Sequence, residues 1–239
     1  MSIFFVEVKK YVQQPYMYLG IASALVFSLL TFLFHLGDDS LSAFEFAISG
    51  LGNITDTFFI LFPAAFCVFI FSGENSNRTE KIIRSKPISM TRVVSAKFLT
   101  ALCYLVLLFL IVYGFLMILG MTFFTSAGME AGLMLQGFML QGAAHVFLIC
   151  LLAFFTILFR SGLLGFGAAL FTVVVNLFAS NVEVIEPILP ISRLAVYKEI
   201  ITPHPRFGSV LVDLGVLAGY SLLLFCISII VYRTREVHE

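Results

Sequence analysis

Charge is scarce in this chain of 239 residues: only 12% are Asp, Glu, Lys or Arg. An ordinary soluble domain carries about twice that share, roughly 25%. Tryptophan is absent, and cysteine occurs four times. Cys67, Cys103, Cys150 and Cys226 all fall inside apolar runs and no pair has metal-ligand spacing. They read as small hydrophobes in a membrane core, which excludes a disulfide-stapled secreted module and a thiolate metal site. Neither sign of charge predominates, with 14 basic and 14 acidic residues, so there is no global basic surface for nucleic acid. What the chain has instead is apolar surface. Sixty per cent of it is hydrophobic and its mean hydropathy is +1.05. One globule of this length cannot bury that much, so the chain reads as an all-α polytopic membrane protein.

A membrane-spanning helix takes ~20 mostly apolar residues. Six runs qualify: Tyr16–Leu36, Thr55–Ser72, Phe98–Leu119, Gly137–Phe159, Gly162–Ser180 and Val210–Tyr232. The second and fifth are the shortest, and the second carries Pro63, which neighbouring helices can accommodate in a membrane. The first run is too long for a signal-peptide core and reads as an uncleaved first helix. Lys and Arg set the orientation. With the N-terminus in the cytoplasm, eleven basic residues lie inside and three, Arg193, Lys198 and Arg206, lie outside. Six spans with both termini cytoplasmic is therefore the expected topology, with residues 16–239 forming one transmembrane domain at the cell membrane.

Residues 1–15 are patterned. Phe4, Phe5, Val8, Tyr11 and Val12 recur at helical spacing, with Glu7, Lys10 and Gln14 on the opposite side. This reads as an amphipathic helix along the inner interface, bending into the first span at Pro15, rather than as a frayed first turn of that span. The outer segment 37–54 carries Asp38, Asp39 and Glu45 and no base, and reads as connecting loop rather than as a lid or partial cap. The larger outer segment 181–209 holds Pro187, Pro190, Pro203 and Pro205 around a stretch that could form a short interfacial helix. Only Arg160 and Ser161 link the fourth and fifth spans, so those two make a tight antiparallel hairpin.

The cytoplasmic segment 73–97 holds six basic and two acidic residues. A short helix over Thr79–Ser85 would end at Pro87, because the residue before proline is driven out of helical geometry. Ser89 is then positioned as the N-cap of a helix running through Lys97 into the third span. The outcome is a stiff elbow with an apolar knob, Ile82, Ile83 and Ile88, among positive charges.

Glu74, Thr79, Ile82, Ile83, Pro87, Ile88, Ser89 and Lys97 stand at the spacing found between the second and third spans of another group of proteins. The segment resembles the coupling loop of permease subunits of type-2 ATP-binding-cassette (ABC) exporters. Arg78, Glu80 and Lys81 depart from that group's usual Gly, Leu and Glu. The interfacial N-terminal helix, the six spans and the basic C-terminus at Tyr232–Glu236 are similar to the family as well. The resemblance implies a pair of permeases riding on two cytoplasmic ATP-binding subunits, which would hold ATP and magnesium. This chain has no G-x-x-x-x-G-K-[ST] stretch, so it binds no nucleotide in that way and is expected not to be an enzyme. The elbow and the interfacial helix would act as levers, with Glu74 and Lys97 bracing the loop by charge. An amphipathic or hydrophobic cargo, such as a peptide, antibiotic or lipid, is the expected substrate class.

Polar groups inside spans are costly, so their positions matter. Gln141 and His145 lie one turn apart in the fourth span, Thr172 and Asn176 in the fifth, and Asp213 in the sixth. All five fall in the expected outer half of the membrane, where they read either as interhelical hydrogen bonding or as the wall of a wetted substrate path. Gly215 and Gly219 in the sixth span, and Gly165 and Ala169 in the fifth, are small-residue steps expected to pack within the chain. Two other classes compete with a transporter. An intramembrane hydrolase would need a nucleophile with a base or a metal cluster, and no H-E-x-x-H or facing pair of acids and histidine occurs in a span. A non-transporting immunity or receptor protein would need neither the elbow nor an ATPase.

Overall fold

A computed structural model describes residues 3–37, 41–53, 66–73, 89–125, 131–179, 189–190, 193–194 and 207–234. Among these residues the chain is helical and has no strand. The elements are α1 (Ile3–Val12), α2 (Pro15–His35), α3 (Ala43–Asn53), α4 (66–73), α5 (Met90–Phe123), α6 (Ala131–Phe159), α7 (Gly162–Ala179) and α8 (Phe207–Thr234).

Local chemistry fixes several boundaries. Pro15 opens α2 with its fixed φ already helical, after an extended Gln14. Gly37, at φ 96°, turns the chain away at the other end, a conformation that favours glycine. Ser89 is extended, and its carbonyl accepts from the N–H groups of Arg92 and Val93, which starts α5 where the sequence places it. The extra turns at both ends make α5 34 residues long, well beyond Phe98–Leu119.

Four helices are long and apolar enough to cross a membrane: Pro15–His35, Met90–Phe123, Gly132–Phe159 and Gly208–Thr234. These contain three of the six expected runs and all of the first but Leu36. The second run, Thr55–Ser72, is described only from residue 66, where it is helical. The fifth is helical over 18 residues, at the short end of the ~17–25 needed for a span.

The segment 37–54 is not plain loop, because α3 occupies most of it. Ser42 and Glu45 form a reciprocal cap: the Glu45 carboxylate accepts from the Ser42 N–H at 2.9 Å, and the Ser42 hydroxyl accepts from the Glu45 N–H at 3.2 Å. Ala43, Phe46, Ala47, Gly50 and Leu51 then make one buried stripe against α5.

The central helices are α5 and α6. α8 packs chiefly along α6, α7 packs on another side of α6, and α1 to α3 pack on α5. The α6–α7 hairpin is as tight as its two-residue link requires, with Arg160 at φ 54°. Gly165 lies so close to α6 that a Cβ there would stand 2.5 Å from the Thr156 Cα. Its partner in the small-residue step, Ala169, is buried. Gly215 and Gly219 behave otherwise. A Cβ at either would meet nothing within 4 Å among the described residues, so they do not pack against those residues as expected. The reason is rotational: α8 turns Val210, Asp213, Leu217, Ser221 and Ser228 inward, and the two glycines fall on the other side. Phe98 meets Phe225 edge-on at 4.8 Å, and α8 runs on from there toward the end of the bundle where α1 lies. Both described termini are therefore at one end of the bundle.

Candidate functional site

Two polar clusters sit at opposite ends of the bundle. At the α1 end, the centre is the carbonyl of Ile70 in α4. It accepts from the Tyr11 hydroxyl at 2.8 Å and from the Lys97 ammonium at 2.9 Å. Three elements thus meet on one oxygen. Lys97 is only 1% exposed, and Glu7, one turn before Tyr11 on α1, is 7% exposed. Burying a charge is costly unless it is hydrogen-bonded and neutralised nearby. Here two opposite charges are buried on helices that pack against each other.

Aromatic contacts extend this junction into the membrane. Tyr11 meets Phe66 edge-on at 6.0 Å, and Phe66 lies against Tyr104 with ring centroids 3.8 Å apart. The Tyr104 hydroxyl donates to the Met17 carbonyl of α2 at 3.2 Å. Gly20 makes room for it: a Cβ there would overlap the Tyr104 oxygen. Tyr16 stacks on Phe69 at 4.0 Å. α1, α2, α4 and α5 are joined here into one packed corner.

At the other end, Arg193 and Leu194 bridge α6 and α8. The Gln141 amide donates to the Leu194 carbonyl at 2.7 Å, while the Arg193 guanidinium donates to the Asp213 carboxylate. His145 donates through Nδ1 to the Gln141 carbonyl at 2.7 Å and presents its ring to Phe109 at 5.5 Å. The amide oxygen of Gln141 is buried and has no hydrogen-bond partner among the described residues.

The residues anticipated from sequence divide among these places. Gln141, His145 and Asp213 are brought together through residues 193–194. Thr172 and Asn176 are not among them; they bond to carbonyls of their own helix, Ala168 and Thr172, at 2.9 and 2.8 Å. Lys97 lies inside the α1-end cluster, and Ser89 is exposed at the start of α5. Glu74, Thr79, Ile82, Ile83, Pro87 and Ile88 lie outside the described residues. On α1, Tyr11 is buried, Phe4 and Val8 are half-buried and Phe5 is exposed. Glu7, expected on the polar outer face, turns inward instead. In lipid an exposed phenylalanine is at home, so the apolar side of α1 need not face the protein.

Sequence reasoning missed Tyr104 and Arg193. Asp213 was a signal for the second, since an acid inside a span requires a basic partner and few bases lie beyond the spans at that end. Tyr104 had no such signal, because its glycine partner lies far away in sequence.

Over residues 3–176 the chain matches the family signature described as ABC-2 family transporter protein. That range contains the whole α1-end cluster and stops inside α7, before Arg193 and before α8. No curated protein matches the chain.

Proposed function

The chain belongs to the ABC-2 family of transporter proteins, and from that premise we propose that it is the permease subunit of an ABC exporter driven by two separate cytoplasmic ATP-binding subunits. The observation that carries this reading is the junction on the Ile70 carbonyl. Residues 74–88 link α4 to α5, and Tyr11 and Lys97 tie both helices to α1 through the Ile70 carbonyl. A push on the elbow would therefore move a corner of the bundle as one body. ATP and magnesium belong to the partner subunits, and this chain supplies the mechanical coupling.

In this reading α1 lies along the cytoplasmic interface, both termini are cytoplasmic, and six spans cross the cell membrane. Glu74, Thr79, Ile82, Ile83, Pro87 and Ile88 contact the ATPase, and the permease works beside a second copy or a homologue. The outward glycines of α8, Gly215 and Gly219, would permit the close approach of such a partner helix. A tagged chain is expected to co-purify with a soluble protein of about 25–35 kDa carrying a phosphate-binding loop, the usual size of a single-domain ATPase. Recovery of the chain with no such protein, under conditions that retain export, would remove the proposal.

The cargo is amphipathic or hydrophobic, and its path runs past Gln141, His145 and Asp213, with Thr172 and Asn176 on a neighbouring helix. The unpartnered Gln141 oxygen supports this, because a buried acceptor of that kind is normally met by water or a ligand. Gln141→Leu and Asp213→Asn are expected to slow export or narrow its substrate range at unchanged ATP hydrolysis. Unaltered rate and range in both variants would restrict these residues to packing.

A further inference from the structure

A groove of about 570 Å³ lies between α5, α6 and α8. Its walls include Leu99 and Leu102 of α5, Val146 and Cys150 of α6, and Leu217 and Leu222 of α8. Leu99 and Leu222 are largely exposed, so the groove opens sideways, onto the surface that faces the bilayer. It is apolar almost throughout. The hydroxyl of Ser221 in its wall already donates to the Leu217 carbonyl at 2.6 Å.

The end of the groove toward α1 is different. Ser95 lines it, and Arg92 lies one turn earlier on the same side of α5. On α8 the lining residues Leu214, Leu217, Ala218, Ser221, Leu222 and Phe225 form a stripe, and Arg233 lies two turns beyond Phe225 near its edge. The contact between Phe98 and Phe225 sets the relative height of the two helices. At 1.5 Å per residue, Arg92 lies about 9 Å from that contact and Arg233 about 12 Å from it, in the same direction. Both arginines are exposed, and neither is paired with an acid among the described residues. Their long side chains can cover the remaining difference.

We propose that this groove holds one acyl chain of an anionic phospholipid, with the headgroup phosphate between Arg92 and Arg233. From Leu214 to Phe225 the groove runs about 16 Å along α8, close to the ~15 Å of hydrocarbon in one leaflet. The apolar walls accept any tail, and the two guanidinium groups select the charge of the head, since arginine engages phosphate through two parallel N–H donors. The proposal requires only that the chain sits in a bilayer. It does not depend on ATP-driven transport.

The absence of tryptophan makes the test direct. Leu222→Trp, on an exposed part of the groove wall, gives the full chain a single indole. Phe171→Trp, on the exposed side of α7, serves as the control. In vesicles, quenching is compared between phosphatidylglycerol and phosphatidylcholine that carry brominated chains. At position 222 the expected result is about a thirtyfold preference for phosphatidylglycerol, from two cations close to the membrane surface. At position 171 the two lipids should quench nearly alike. Adding Arg92→Gln and Arg233→Gln should bring the preference at 222 down to the control level. Equal quenching by both lipids at 222, or a preference that survives loss of both arginines, overturns the proposal. So does protection of the indole from both lipids, which would mean that protein, such as a second copy, covers the groove.

Discussion

Lys97→Met is expected to lower the unfolding free energy by about 3 kcal/mol, the usual cost of removing one partner from a set of buried opposite charges. The lysine is almost wholly buried and donates to the Ile70 carbonyl, so methionine keeps the volume but removes both the donor and the positive charge. Glu7 then remains as a buried carboxylate at an end with no buried cation among the described residues. Glu7→Gln in the same chain should recover part of the loss. A double-mutant cycle by thermal unfolding in detergent is expected to show about 2 kcal/mol of coupling, in the range found for residues that share a network. Losses that simply add would show that α1 and α5 are not joined through their charges. On the proposed function, export should fall more in the single variant than its folded yield does, because Lys97 of α5 and Tyr11 of α1 share the Ile70 carbonyl.

The second large effect tests the proposed coupling role of residues 74–88. If Ile82 and Ile83 seat in an ATP-binding subunit as proposed, Ile82→Asp or Ile83→Asp is expected to abolish transport, a loss on the order of a hundredfold, while ATP is still hydrolysed. A carboxylate in an apolar seat loses the burial of a large side chain, about 1.5–3 kcal/mol, and adds the desolvation of a charge. Reconstituted vesicles in which transport and phosphate release are measured together would separate uncoupling from loss of the complex. Normal transport in both variants would remove the isoleucines from the lever.

The sequence made these features legible to different degrees, and the reasons are physical. Long apolar runs and the start of α5 at Ser89 were readable because hydrocarbon length and capping are local requirements. α3 carried the same kind of signal, a serine followed three residues later by glutamate, and a buried stripe at helical spacing. Its acids, with no base among them, read as loop instead. Glu7 turns inward, against an expectation set by rules for amphipathic helices, which assume that apolar means inward. That assumption fails where one side of a helix meets lipid. Gly165 and Gly215 open similar small-residue steps, yet among the described residues only the first packs closely. Spacing states that helices can approach but not which helix arrives. The bridge through Arg193 was partly visible, since Asp213 demanded a cation; only the folded chain shows that Leu194 engages Gln141 as well.

The hairpin of α6 and α7 has a consequence for how the bundle can move. Its link is two residues long, and Gly165 brings its backbone against that of Thr156 with no side chain between. At that end the pair has no side chains to repack, although Leu148, Leu152, Phe166 and Val173 pack between the two helices farther along, so the linked ends must tilt and shift together. Any rearrangement that exposes first one side of the membrane and then the other must slip along the remaining boundaries of α6, where it meets α5 and α8. Interlocking leucines and phenylalanines line those boundaries, and they can exchange one set of contacts for another.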